Sequence, residues 1–272
     1  MKYGLCLEMA FTDKPFNDRI RLAAQAGFSY AEMWFVDGTF NGTDCSGPGK
    51  DPDAVRAAAD KTGVTITNTV VGSPDGSIGG GLIDKSRRAE WLARVGKTLA
   101  FNSAAGIGAT IVCTGNEIPG MSHEQMVTAV VEALKPTVDL AEKAGVTLLL
   151  EPLNTRVDHA GYLVTTSDEG ADICRRVGSP RMKLLFDCYH NQIMECDLVS
   201  HIRRNSDVIG HFHSAGVPGR NEVYRCEINY PFVIAEIEKL GYDGVFALEY
   251  TATTEQTASL RDSLTYLTGK GA

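Results

Sequence analysis

The chain has 272 residues, 43% of them apolar, and carries 26 lysines and arginines against 34 aspartates and glutamates, a net charge of −8. That length can bury one large core, and one domain spanning residues 1–272 is expected. The acidic balance and the lack of any basic run disfavour nucleic-acid and anionic-membrane partners, and no apolar stretch is long enough to span a membrane.

Seven cysteines, an odd number without CxxC spacing, suggest a reduced chain rather than a disulfide framework. The N-terminus runs straight into an apparent strand, without a basic region and apolar signal core, so a cytoplasmic location is expected.

Tyr3 to Met9 reads as the first strand, followed by a helix from Pro15 to Ala26 that Gly27 stops. Phe28 to Phe35 alternates as a second strand and carries Glu32 and Trp34 to its end. A loop rich in Gly, Thr and Asn, residues 37–51, leads to a helix from Pro52 to Thr62, and Gly63 ends it before a third strand from Val64 to Val71. Gly72 to Gly81 (GSPDGSIGGG) lacks GxxxxGK[ST] and holds no lysine, so a lid or a plain surface loop is expected rather than a phosphate cradle. A helix from Asp84 to Ala105, a fourth strand from Ala109 to Thr114 and a helix from His123 to Ala144 follow.

The second half is built on one repeated shape. In Val146 to Asn154 (VTLLLEPLN) a run of apolar residues stops at Glu151 and Pro152, as a buried parallel strand does where a carboxylate emerges. MKLLFD ends on Asp187, VIGHFH on His213 and VFALE on Glu249, at spacings of 36, 26 and 36 residues. Each gap holds a crossover helix: Ser167 to Val177, one around Leu198 to Arg204, and Pro231 to Leu240; a last helix runs to about Leu267. Eight strand and helix pairs in strict alternation predict an α/β fold, a closed (β/α)8 TIM barrel. An open doubly wound sheet is the runner-up, but no GxGxxG follows the first strand.

In such a barrel the C-terminal strand ends form the site. Glu151, Asp187, His213 and Glu249 would then converge as hard oxygen donors with one imidazole, a set that suits Mn2+, Mg2+ or Co2+ and leaves Zn2+ open. A lone carboxylate at a strand end is more often a cap or a solvated charge. Four metal-competent residues on four successive strands are not explained that way. His211 shares a face with His213 by alternation; one of the two would be a ligand and the deeper one an interior residue, and His213 is favoured. His190, three residues past Asp187, is placed for a substrate hydrogen bond. Arg156 and Arg220 lie in loops leaving the rim, where their planar forks match the carboxylate of a small keto acid; solvated loop charge is the even alternative for each.

The stretches GVPGRNEVYRCEINYP (216–231), GYDGVFALEY (241–250), EPLNTR and FDCYH resemble the hydroxypyruvate isomerase family, within the xylose isomerase-like barrels, and the resemblance covers most of the chain. It implies that Glu151, Asp187, His213 and Glu249 hold one divalent metal ion, that Glu151 and Glu249 are an acid/base pair, and that His190 and Arg220 contact substrate. Glu227 in CEINYP matches a Glu of the family motif. Two positions depart from the pattern: Gln is common in hydroxypyruvate isomerases where His213 stands, whereas ketose 3-epimerases have His, and the EYxP ending is replaced by Glu249-Tyr-Thr-Ala.

The expected activity is isomerisation of a small hydroxy-carbonyl compound through an enediolate, with hydroxypyruvate to tartronate semialdehyde as the named case. A ketose 3-epimerase is the alternative. An endonuclease IV-like nuclease would need more histidines than the six present and a basic surface; a non-catalytic sugar-binding barrel is the last rival. The partner is a small keto acid or ketose, and barrels of this family often form homo-oligomers.

Overall fold

The computed structural model describes residues 1–72 and 81–269, so the loop expected at Gly72 to Gly81 lies almost wholly outside the described residues. Nine parallel strand segments form one sheet: β1 (Lys2–Cys6), β2 (Tyr30–Glu32), β3 (Thr65–Ile66), β4 (Asn68–Val71), β5 (Ala109–Val112), β6 (Thr147–Leu150), β7 (Met182–Asp187), β8 (Ile209–Ser214) and β9 (Val245–Leu248). Their order is β3-β2-β1-β9-β8-β7-β6-β5-β4. Around them lie α1 (Phe16–Gln25), α2 (Pro52–Thr62), α3 (Arg88–Ala105), α4 (His123–Ala144), α5 (Ser167–Val177), α6 (Cys188–Met194), α7 (Leu198–Asn205), α8 (Tyr230–Lys239) and α9 (Gln256–Thr268). The expected (β/α)8 barrel is borne out.

The first two strands are shorter than the sequence reading, β1 stopping at Cys6 and β2 covering only Tyr30–Glu32, and three further details differ. The third strand is broken at Thr67, so that β3 pairs with β2 while β4 pairs with β5. Thr67 N–H donates to Ala31 O at 2.8 Å, Met33 N–H to Asn68 O at 3.2 Å and Val70 N–H to Trp34 O at 3.2 Å, which carries the ladder across the break and closes the barrel. The helix expected from Asp84 begins as a 3-10 turn, Lys85–Arg87, because the Asp84 carboxylate accepts from Ser86 N–H; the α-helix starts at Arg88. Third, α6 follows β7 directly. Its start is fixed by Asp187, whose side chain accepts from the amides of Tyr189 and His190, and seven residues are too few to show helical periodicity.

The longer helices have the ends their sequences specify. Ser122 and Gln125 form a reciprocal capping box on α4, and Gly145 ends it in the left-handed conformation at φ 71°. Alternation along the strands divides the core into two layers. Leu148, Leu150, Leu184, Phe186, Phe212 and Leu248 face the helices and join the main cluster. Val70, Ile111, Leu149 and Leu185 fill the barrel interior. Each such side chain contributes about 1.5–3 kcal/mol by leaving water.

A buried charge cluster ties the loop after β2 to the barrel. Glu8 is enclosed, with Lys50 Nζ 2.7 Å from Oε1 and Arg19 3.6 Å from Oε2. Phe40 N–H donates to Glu8 Oε2 at 2.9 Å, Lys50 donates to the carbonyls of Phe35 and Gly38, and Arg19 donates to the carbonyls of Leu7, Thr12 and Phe40. Phe40 packs on Trp34 with ring centroids 5.4 Å apart. All seven cysteines are free, and no helix among the described residues is long and apolar enough to cross a membrane.

Candidate active site

Alternation places the site one layer above the barrel's interior floor. Leu149 and Glu151, Leu185 and Asp187, His211 and His213, and Ala247 and Glu249 are two residues apart, so each pair shares the inward face. Asp187 ends β7 and His213 lies in β8, while Glu151 and Glu249 are the first residues beyond β6 and β9. One donor atom from each of Glu151, Asp187, His213 and Glu249 lies within 4.8 Å of the others, and all four residues are buried. The structure thus brings together the four strand-end residues singled out in the sequence.

The imidazole of His213 is the hub. Nδ1 lies 3.4 Å from Glu151 Oε1 and 3.3 Å from Glu249 Oε2, while Nε2 lies 2.8 Å from Glu32 Oε1. Glu249 accepts from Trp34 Nε1 at 2.8 Å and from the Arg220 guanidinium at 2.7 Å. Arg220 is held at φ 55°, the left-handed region, by its N–H bonded to Gly216 O and its carbonyl accepting from Thr251 N–H.

His190 sits on α6. Its Nδ1 faces Asn154, whose backbone N–H donates to it at 3.2 Å, so Nδ1 is the acceptor and Nε2 carries the proton. Burial, reinforced by the Arg220 charge, pushes His190 well below the usual imidazole range and keeps it neutral. Nε2 lies 3.5 Å from Asp187 Oδ2 and has no hydrogen-bond partner among the described residues, which leaves a donor free for a ligand.

Crowding of charge sets the other titrations. Burial and the neighbouring Glu151 push Asp187 up to about 7, against the pull of His213 and Arg220. Burial would lower His213, but the charges of Glu32 and Glu249 raise it well above the ordinary value. Burial would raise Glu32; the His213 charge and the contacts with His211 and His213 outweigh it and hold that carboxyl at about 2.

A cavity of about 200 Å³ opens over the site, walled by Trp34, Phe35, Val70 and Leu153 and reached by Glu151, Glu249, Arg220 and His159. Arg156 does not join it: the residue is exposed and donates to Ile193 O at 2.7 Å. Glu227 is also exposed and accepts from Gln192 at 3.1 Å. Two functional candidates went unread in the sequence. His159 lines the cavity from a loop with no motif spacing, and Asn154 orients His190 from within the quoted EPLNTR stretch without any local signal of that role.

A model of the xylose isomerase-like TIM barrel family matches residues 20–269. The chain is 31% identical to a 2-oxo-tetronate isomerase of Cupriavidus necator, covering 95% of this chain and 96% of that one. It is 28% identical to the hydroxypyruvate isomerase of Escherichia coli, covering 96% and 97%. The crystal structure of an AP endonuclease, family 2, from Brucella melitensis superposes with a TM-score of 0.85 at 27% identity, over 96% of this chain and 97% of that one. The resemblance to hydroxypyruvate isomerases is borne out at the level of homology, and the chain belongs to the xylose isomerase-like TIM barrel family.

Proposed function

We propose that the protein is a metal-dependent isomerase of a short 2-oxo acid with a neighbouring hydroxyl. Hydroxypyruvate is the three-carbon case, giving tartronate semialdehyde; 2-oxo-tetronate, from the name of the Cupriavidus relative, is the four-carbon case. The carrying observation is the convergence of Glu151, Glu249 and the Arg220 guanidinium on a cavity of about 200 Å³. Ligand pockets for drug-sized molecules run to about 300–1,000 Å³, so this one suits a substrate of a few carbons.

The donor set fits a divalent cation. Both ring nitrogens of His213 are buried and without a hydrogen-bond partner among the described residues, and Nδ1 faces two carboxylate oxygens. Glu151, Asp187, His213 and Glu249 would hold the ion, three carboxylates and one imidazole, as hard cations prefer. When bound, it supplies positive charge against the negative charge that develops on the substrate's two reacting oxygens.

The chain's own residues do the rest. Arg220 pairs with the substrate carboxylate, its charge sustained by Glu249, Asp187 and Glu151 despite burial. One of Glu151 and Glu249 takes the proton from the hydroxyl-bearing carbon, leaving an enediolate, and a glutamate returns a proton to the adjacent carbon. The hydroxyl proton moves to the former carbonyl oxygen, so the atoms balance. The His190 Nε2–H donates to a substrate oxygen, and the apolar wall of Trp34, Phe35 and Leu153 limits water around the enediolate.

The test is proton exchange followed by NMR in D2O with Mn2+-free, Mg2+-loaded protein. Deuterium entering hydroxypyruvate with conversion to tartronate semialdehyde, or entering 2-oxo-tetronate with conversion to its 3-oxo isomer, is the expected result. Exchange only at C3 of a ketose would move the activity to epimerisation at the same site, and no exchange in either panel would defeat the reading. The nuclease named in the Brucella structure fits less well, since a net charge of −8 opposes a DNA backbone.

Metal binding should be pH-dependent in a stated direction. Asp187 ionises at about 7 in the metal-free fold, above its ordinary 3.8. The stability its protonation lends is therefore full below about pH 4 and lost as pH rises through about 7, whereas metal affinity rises over the same window. The raised Asp187 carboxyl and the raised His213 imidazole both hold protons more tightly than usual in the metal-free fold, so Mn2+ binding below neutral pH should release protons. Calorimetry in two buffers of different ionisation enthalpy counts them; a count of zero would contradict the ligand assignment.

A further inference from the structure

We propose that Glu32 is a positioning residue, fixing the ring and tautomer of His213 so that Nδ1 is the nitrogen presented to the cation; the inference rests on the metal reading above. Glu32 ends β2, is buried, and is not among the residues that line the cavity. Its two oxygens face different groups, Oε1 in ionic contact and Oε2 in hydrogen bonds. Oε1 lies 2.8 Å from His213 Nε2, and Oε2 lies 2.8 Å from His211 Nε2 and accepts from Asn68 Nδ2 at 2.8 Å. Elements β2, β4 and β8 thus meet at one carboxylate inside the barrel.

A neutral imidazole carries one ring proton, and the partner of one nitrogen decides where it sits. A carboxylate beside Nε2 draws the proton there and leaves the Nδ1 lone pair free for a cation, the arrangement by which carboxylates tune histidine ligands. His213 Nδ1 already faces Glu151 and Glu249, on the opposite side of the ring from Glu32. His211 packs edge-on against His213 with centroids 5.1 Å apart at 82°, which restrains the ring from turning. The deeper histidine is therefore a brace: it holds Glu32, and Glu32 holds His213.

The test uses the full chain stripped of metal, with Mn2+ and Cd2+ as probes. Titrating Mn2+ and reading the free ion by EPR, Glu32→Gln should weaken binding by about 10- to 100-fold and Glu32→Asp should recover part of the loss. In wild-type protein labelled with 15N-histidine and loaded with 113Cd2+, the metal coupling should appear at His213 Nδ1 and the proton at Nε2. Unchanged Mn2+ affinity in Glu32→Gln, or coupling at Nε2, overturns the inference. Should Glu32→Gln fail to fold, the Cd2+ spectrum decides, because it needs only the wild-type chain. A wild-type chain that binds neither ion defeats the metal reading and this inference together, whereas binding that is indifferent to Glu32 defeats this inference alone.

Discussion

Replacing Glu249 with Gln should lower kcat at saturating metal by about 10²- to 10⁴-fold, the usual worth of a positioned acid or base, and should weaken metal binding as well, because Glu249 is also a proposed ligand. Gln keeps the length and planarity of Glu249, and its amide oxygen can still accept from the Trp34 indole that now sits 2.8 Å from Oε1. On the proposed reading Arg220 would still be available to the substrate carboxylate, so substrate binding should be lost less than turnover. Adding Glu151→Gln should cost far less than the product of the two single effects, because the pair works on one proton path. Steady-state kinetics on the D2O-active substrate measures both variants. A kcat for Glu249→Gln near the wild-type value would remove Glu249 from the acid/base role, and a wild-type chain with no turnover but tight ligand binding would favour a sugar-binding barrel instead.

Glu8→Ala is expected to have the largest effect on stability. Removing one partner of a buried ionic cluster leaves the others uncompensated and costs about 3–5 kcal/mol. Here Lys50 and Arg19 would both be left in the interior, and Phe40 N–H would lose its acceptor. The melting temperature should fall by on the order of 10 °C in a chain of this size. The damage should spread to the site, since Lys50 also holds the carbonyls of Phe35 and Gly38 and Phe40 packs on Trp34. Guanidinium unfolding alongside kinetics tests this: a loss below about 1 kcal/mol would place the cluster among the weakly contributing ion pairs.

The strand-end set was legible because each member interrupts an apolar run at a fixed place, and a period of two then assigns it to the inward face. Glu151, Asp187, His213 and Glu249 satisfy both conditions, and the structure gathers them. Glu32 was legible as a rim residue but not as the partner of His213 and His211, since the two strands approach only through closure of the barrel. The arginines mark the limit. Sequence puts Arg156 and Arg220 in equivalent loops, and only the fold separates them: Arg156 turns to the Ile193 carbonyl of α6, a helix too short to read, while Arg220 turns inward to Glu249. Glu8, Arg19 and Lys50 gave no signal at all, because charges far apart in the chain carry no period that betrays their meeting.

Asp187 serves two masters, and that has a consequence for redesign. Its Oδ1 is committed to the first amides of α6, at 2.7 Å from Tyr189 N and 3.4 Å from His190 N, so only Oδ2 is left to offer the site. His190 rides on the same short helix, three residues on, and its reach is set by that cap rather than by a pliable loop. On the proposed reading, one end of the substrate would be measured against a fixed ruler. Attempts to admit longer or bulkier substrates should leave α6 and the Trp34 indole, which donates to Glu249, alone and remodel Phe35 and Val70, where side-chain volume can change without disturbing a helix cap or that hydrogen bond.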